Sequence, residues 1–318
     1  MTSNDRLNLT DPADTAALVP YLLGHHPHDR LVILALRQHR LHFLAAADLP
    51  YTAPAGADVV AVVADTQPDQ ILLYGYGDHD TVTTAVDHTT AGFTAARIPV
   101  LDAFRVHDNR IWHLHCHDPH CDYDGTPFDP DNTVAAAFAT YHGLTAATDI
   151  QALDARLDPV TGAERDAMTL AYHRAHHQLL RLTDGPDAAD RLHLLLEELL
   201  TETRSAYRTG RLCDTRAALL TVLLDVQPLR HHAVRQIPAD ELHLRIWTDL
   251  TRRASPAYTA APATMLAVAA IQLGEGTLAR LAIQRAQHAA PTDPLITVIA
   301  ECIRYGVHPD TVRRILHD

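Results

Sequence analysis

The sequence predicts an α/β domain with a mixed sheet followed by an all-α domain, and three observations carry that expectation. Apolar runs of strand type, joined by short turns, occupy the chain as far as about residue 116. From about residue 150 onward, apolar residues recur at intervals of three and four, the period of a helix face. The length of 318 residues exceeds what one core usually fills, roughly 250 to 300 residues, so two cores are expected. The expected domains are 1–148 (mixed-sheet α/β) and 149–318 (α-helical).

The elements follow in order. Residues 13–23 read as a short amphipathic helix ended by Gly24, since glycine enters the left-handed region without strain. LVILALR (31–37) and RLHFLAAADL (40–49) are so closely joined that they read as adjacent antiparallel strands, although the turn lacks Asn-Gly. DVVAVVADTQPD (58–69) fits a helix closed by Pro68, with a strand as the competing reading because of its valines. QILLYGYG (70–77), a helix from about Asp80 to Phe93, and RIPVLDAFRV (97–106) have the lengths of a parallel, right-handed βαβ unit. His107-Asp108-Asn109 then turns the chain into RIWHLHC (110–116), a second hairpin. The expected sheet has roughly five strands, and the Pro- and Asp-rich GTPFDPDN (125–132) reads as the passage out of it.

In the helical half, PATMLAVAAIQLGEGTLARLAIQRAQHAAPTDP places Leu266, Ala267, Gly274, Ala279, Ala286 and Pro291 at intervals similar to a tetratricopeptide hairpin. Small residues of this kind let two helices approach closely, although ordinary helix packing gives the same pattern. LITVIAECIRYGVHPDTVRRIL is a poor partial copy, and about three repeats are normally needed for a free-standing solenoid. A tetratricopeptide-like hairpin inside a compact helical domain is therefore expected.

Charge and composition narrow the function classes. A net charge of −13, with no dense run among the 26 Lys and Arg, disfavours nucleic acid as a partner. Arg252-Arg253 and Arg313-Arg314 are short basic pairs that suit helix ends. The start has neither a basic segment nor an apolar one of signal-peptide type, and no stretch approaches the roughly 18 apolar residues of a membrane span. A soluble, cytoplasmic protein is expected. Four cysteines do not make a secreted disulfide framework, and Cys213 and Cys302, set among helical residues, read as small buried apolar groups.

The densest chemistry is WHLHCHDPHCDYDG (112–125). If 110–117 is one strand, His113, His115 and His117 share a face opposite Trp112, Leu114 and Cys116; three imidazoles there could bind a metal, but in a chain of 23 histidines that face reads as solvent-exposed. Beyond it, Cys116, His117, His120 and Cys121 lie in a short loop turned by Asp118-Pro119, which could offer two thiolates and imidazole nitrogen to zinc. Free thiols, a disulfide or redox-sensing pair, and a catalytic metal are the other readings. His25, His26 or His28 could complete the set if the first turn meets this loop at one sheet edge. His26, Asp29 and Asp118 are accordingly further candidate site residues. Tyr74-Gly75-Tyr76-Gly77 stands before a helix, where an anion could bind, but lacks a phosphate-loop spacing. No G-x-S-x-G or H-E-x-x-H pattern is present.

VPYLLGHHPHDRLVILAL, ILLYGYG, RIPVLDAFRVHDNRIWHLHCHDPHC, GTPFDP and the helical IWTDLTRRASPAYTAAPATMLAVAAIQLGEG together resemble domain-of-unknown-function family 4192, over nearly the whole chain. The matching positions include Gly24, Pro27, Asp29, Trp112, Cys116-x-Asp118-Pro119-x-Cys121 and Gly125-Thr126-Pro127. Where relatives often carry a second cysteine and Pro-Pro-Glu just past Cys121, this chain has Asp122, Tyr123 and Asp124, so a site needing a third thiolate is in doubt. The resemblance implies a fold and no activity or cofactor. The expected role is a binding or scaffold protein, using the helical domain to recognise a protein partner or a second copy of itself. The competing class is a zinc enzyme or redox sensor at the Cys116–Cys121 loop, with that loop, the first turn and residues 74–79 meeting at one edge of the sheet.

Overall fold

The computed structural model describes residues 11–51, 53–116 and 124–317. The chain divides into two compact units, one reaching Ile150 and the other beginning at Gln151. Among the described residues no helix is long and apolar enough to cross a membrane.

The first unit is built on a six-stranded mixed sheet. Its strands are β1 (Arg30–Arg37), β2 (Arg40–Asp48), β3 (Gln70–Tyr76), β4 (Val100–His107), β5 (Arg110–His113) and β6 (Thr126–Pro127), in the order β2-β1-β3-β4-β5-β6. β1 is antiparallel to both β2 and β3, while β3 and β4 are parallel, as the length of the intervening helix requires. Both hairpins turn on two non-glycine residues in the left-handed region, Gln38-His39 and Asp108-Asn109. That backbone twist matches the twist of the flanking strands and sets the registers Arg37↔Arg40 and His107↔Arg110.

Because side chains alternate along a strand, the sheet has two apolar faces, and each is covered. Leu31, Ile33, Leu73 and Ala103 pack under α2 (Ala53–Asp65) and α3 (His79–Ala95), through Val60, Val63, Val82, Val86 and Phe93. Val32, Leu34, Tyr74, Phe104, Val106 and Ile111 pack under α1 (Pro12–Leu23), through Ala16, Val19 and Leu23. α4 (Val134–Tyr141) lies against α1.

Three expectations are corrected, and one element is added. The helix expected over residues 58–69 runs from Ala53 to Asp65, and Gln67 in the left-handed region turns the chain before Pro68. Residues 125–132 are not purely a passage, because Thr126 and Pro127 add a sixth strand beside β5. The second hairpin strand ends at His113, not Cys116. Residues 134–141 form a helix that the pattern did not single out; its N-cap Thr133 accepts from the Ala136 N–H at 3.0 Å.

The second unit continues α5 (Ile150–Ala155) through α6 (Gly162–Leu182), α7 (Ala188–Thr209), α8 (Asp214–Leu224), α9 (Gln227–Arg235), α10 (Glu241–Arg253), α11 (Ala260–Leu273), α12 (Gly276–Ala289), α13 (Pro294–Arg304) and α14 (Pro309–His317). α11 is apolar on every side and accordingly buried from Ala260 to Ile271, packed against α8, α10, α12 and α13. Gly274, left-handed at φ 80°, ends it, and α12 returns with Ala279, Ala282 and Ala286 buried at helical spacing. Cys302 is buried as expected, and burial pushes its thiol pKa up. Cys213 is exposed, because it precedes α8 at the cap position and not within the helix.

Candidate functional site

Of the three loops expected to converge, the first turn and residues 74–79 are described in full, whereas residues 117–121 lie outside the described residues. Asp29, itself left-handed at φ 47°, has its Oδ1 3.0 Å from where a Cβ on Gly77 would stand, so the first turn and the end of β3 do meet. β5, however, runs the other way: Arg110 lies opposite His107, His113 opposite Phe104, and the Leu114 N–H donates to the Ala103 carbonyl at 2.8 Å. Residues 114–116 therefore lead away from Gly77, toward the beginning of β4. His26 is an exposed turn residue whose backbone N–H donates to Ala147 at 2.9 Å, and Asp29 is exposed.

Of the candidate zinc ligands, Cys116 is half-buried just beyond β5, while His117, His120 and Cys121 lie outside the described residues, as does Asp118. Among the described residues no three His, Cys, Asp or Glu side chains come together to hold a metal. The single exposed face of His113, His115 and His117 is also corrected, since β5 stops at His113 and the chain turns at Leu114 and His115.

His113 instead belongs to a built feature on the α1 face of the sheet. Tyr74 on β3, Phe104 on β4 and His113 on β5 are cross-strand partners in register, and their rings form a continuous row. Tyr74 stacks on Phe104 and Phe104 on His113, each pair with centroids 5.1 Å apart. The buried end of the row is fixed by α1: the Tyr74 hydroxyl donates to the Pro12 carbonyl at 3.3 Å, and that of Tyr76 to Ala16 at 3.1 Å. Burial pushes both phenol pKa values up, so both stay protonated and donate.

At the open end, His113 Nε2 is in direct contact with Asp102 Oδ1, an oxygen that also accepts the Ala103 N–H at 2.9 Å. The Asp102 carboxylate is 28% exposed and the imidazole 35%. A carboxylate on Nε2 holds the proton of a neutral imidazole there and leaves Nδ1 as the acceptor. The plane of the ring is thus set from within the sheet, by Phe104 against its face and Asp102 at its edge.

Phe104, Ile111 and His113 are the floor of a cleft of about 490 Å³, within the usual range for small-ligand sites. Its walls are the first turn of α1 (Asp11 to Asp14), residues 126–129, and the start of α4 with Asn132 and Thr133 before it. The loop that closes the wall is tied back by Arg110, whose guanidinium donates to the Asp124 and Gly125 carbonyls at 2.6 and 2.9 Å. Gly125 is left-handed at φ 73° and lies flat against the Trp112 indole, 2.7 Å from Cδ2 for any added Cβ, so a side chain is excluded there on two counts.

Residues 12–310 match the family described as a domain of unknown function, DUF4192. The chain belongs to that family. No curated protein and no solved structure matches it. In this DUF4192 member the resemblance read from sequence spans both units, and the matching Gly125-Thr126-Pro127 is the segment that packs on Trp112 and forms β6 beside the cleft. Asp102 and Phe104 were not singled out by motif, and His113 was read only as one of three histidines on a strand face. The signal that could have found them is the Asp108-Asn109 turn, which by itself fixes Phe104 opposite His113.

Proposed function

We propose that this chain is a binding protein whose α/β domain takes a small organic ligand in the cleft over Phe104 and His113. The observation that carries the reading is the state of His113: an imidazole stacked on Phe104, oriented by Asp102 and placed on the floor of a cavity of about 490 Å³. A ring held this way offers a flat apolar surface and one hydrogen-bond acceptor without losing side-chain freedom on binding. NMR titration with small aromatic heterocycles tests it. Shifts should concentrate on the Phe104 ring and the His113 imidazole, and His113→Ala should weaken binding roughly tenfold, the value of one buried hydrogen bond. Unchanged affinity in His113→Ala, or shifts confined elsewhere, overturns the reading.

A second reading, partner recognition by the helical domain, draws support from two features. The α11–α12 hairpin has the small-residue spacing of a tetratricopeptide hairpin, and Leu170 and Leu180 on α6 and Leu194 on α7 are exposed. Leu194, at 72% exposed, is the side chain most suited to a contact with a second copy of the chain. Light scattering across micromolar concentrations should show a dimer for the native chain and a monomer for Leu194→Glu; a native chain that stays monomeric throughout rules out self-recognition.

A further inference from the structure

On α6 the buried side chains Met168, Ala171, Tyr172 and Ala175 fix which face meets the rest of the helical unit. At about 100° per residue, the opposite line of the helix runs through Asp166, Leu170, His173, His177, Leu180 and Arg181. All six are exposed. A surface helix turns polar residues outward, yet this line holds two leucines, Leu170 at 51% and Leu180 at 53% exposed, and between them two imidazoles one turn apart. Among the described residues His173 and His177 are the one pair of histidines four apart within a helix. Their neighbour His176 turns off the line, with Nδ1 3.3 Å from the Tyr258 hydroxyl.

The spacing Leu-x2-His-x3-His-x2-Leu is the same read in either direction, with Ala175 at its centre. A second copy laid antiparallel on this line, about a two-fold axis at the level of Ala175, therefore meets it with like partners: Leu170 faces the partner's Leu180, and His173 the partner's His177. The charges match as well, since Arg181 comes within about one turn of the partner's Asp166. Two leucines per copy cover far less than the roughly 800 Å² per partner of a standard interface, so by themselves they hold only a weak dimer. Four imidazoles change that balance. Zinc takes four nitrogen or sulfur ligands in a tetrahedron, and histidines at i and i+4 on one helix face can both reach it. Among the described residues of one chain no third His, Cys, Asp or Glu joins the pair to hold a metal. Each copy thus supplies half of a closed site, which is incomplete without the partner.

We infer that α6 is the centre of a zinc-bridged dimer, in which His173 and His177 of two copies hold one ion between flanking leucine pairs. It rests on, and sharpens, the reading of the helical domain as a surface for a second copy. The ligands are nitrogen and Arg174 and Arg181 stand beside them, so magnesium or calcium, which take oxygen ligands, gain nothing there.

Sedimentation of the whole chain in EDTA and in zinc tests the bridge. Zinc should tighten the dimer at least about tenfold, at one ion per two chains, and magnesium or calcium should leave it unchanged. His173→Gln with His177→Gln should abolish the zinc effect and keep the weaker metal-free dimer, because both side chains are exposed and the leucines remain. Leu170→Glu should weaken the dimer in both conditions, since it sets a carboxylate against the partner's Leu180. Zinc tightening that survives in the histidine double variant, a native dimer indifferent to zinc, or association unchanged in Leu170→Glu overturns the bridge on α6 and leaves self-recognition standing. A native chain that is monomeric with and without zinc overturns both.

Discussion

Arg253→Ala is expected to destabilise the helical unit by about 3 to 5 kcal/mol, the cost of leaving partners of a buried charge unpaired. The Arg253 side chain is 0% exposed. Its Nη1 donates to the Leu212 carbonyl and to Asp249 Oδ2, both at 3.0 Å, and its Nη2 to Asp214 Oδ1 at 2.6 Å. Burial works against the charge, but Asp249 and Asp214 outweigh it and hold the guanidinium pKa above its ordinary value. The same Asp249 accepts the Tyr207 hydroxyl, and Arg245 reaches the Tyr207 carbonyl, so one arginine closes the α7–α8 turn onto α10. Removing it takes the guanidinium from the Leu212 carbonyl, from the partly exposed Asp214 and from the half-buried Asp249, which keeps the Tyr207 hydroxyl near it. Trp247 lies on α10 and Trp112 in the other unit, so Trp247 fluorescence in urea, in a Trp112→Phe background, follows the helical unit. Arg253→Met with Asp214→Asn and Asp249→Asn should recover most of the loss, because a buried charge network replaced as a whole is often neutral. A loss below about 1 kcal/mol for Arg253→Ala would mean that water reaches the site and solvates the carboxylates.

Arg253 also illustrates where sequence reasoning stops. Arg252-Arg253 was legible as a basic pair at a helix end, which is correct for Arg252, whose Nε donates to the Asp158 carbonyl at 3.2 Å near the surface. Nothing local says that the next arginine turns inward, because its partners stand 4, 39 and 41 residues away. The elements themselves were more legible: both hairpins, the parallel β3–α3–β4 unit and the helical half follow from period and punctuation. A two-residue strand such as Thr126–Pro127 has no period to read, and it exists only because β5 offers it an open edge. The site failed to appear for a related reason. Counting histidines directed attention to the loop after β5, whereas the ring row depends on which residues of β3, β4 and β5 lie in register. Histidine-rich composition hid a histidine that the sheet orients through Phe104 and Asp102.

Gly75→Ala should cost about 1 to 3 kcal/mol, the range for forcing an extra group into a packed core, although alanine is otherwise well tolerated. Gly75 sits in β3 between Leu31 of β1 and Arg105 of β4, and α3 crosses directly over it. A Cβ there would overlap the Val82 Cγ1 methyl and stand 3.1 Å from Cγ2. Val82 is fully buried and β-branched, so its rotamer cannot give way. The helix cannot slide either, since its N-cap Asp78 accepts the Thr81 N–H at 2.9 Å only three residues after Gly75. The strain must then pass into β3, whose neighbouring Tyr74 and Tyr76 face the other side and carry the cleft floor and the α1 contact. Val82→Ala alone leaves a void beside Gly75, and the double variant fills it, so a double-mutant cycle should show a favourable coupling of roughly 1 kcal/mol or more. Additive losses in that cycle would show that the two residues do not touch. Because Gly75→Ala acts through β3, it should also displace the Phe104 and His113 resonances, whereas Val82→Ala, which only loosens the opposite face, should leave them in place.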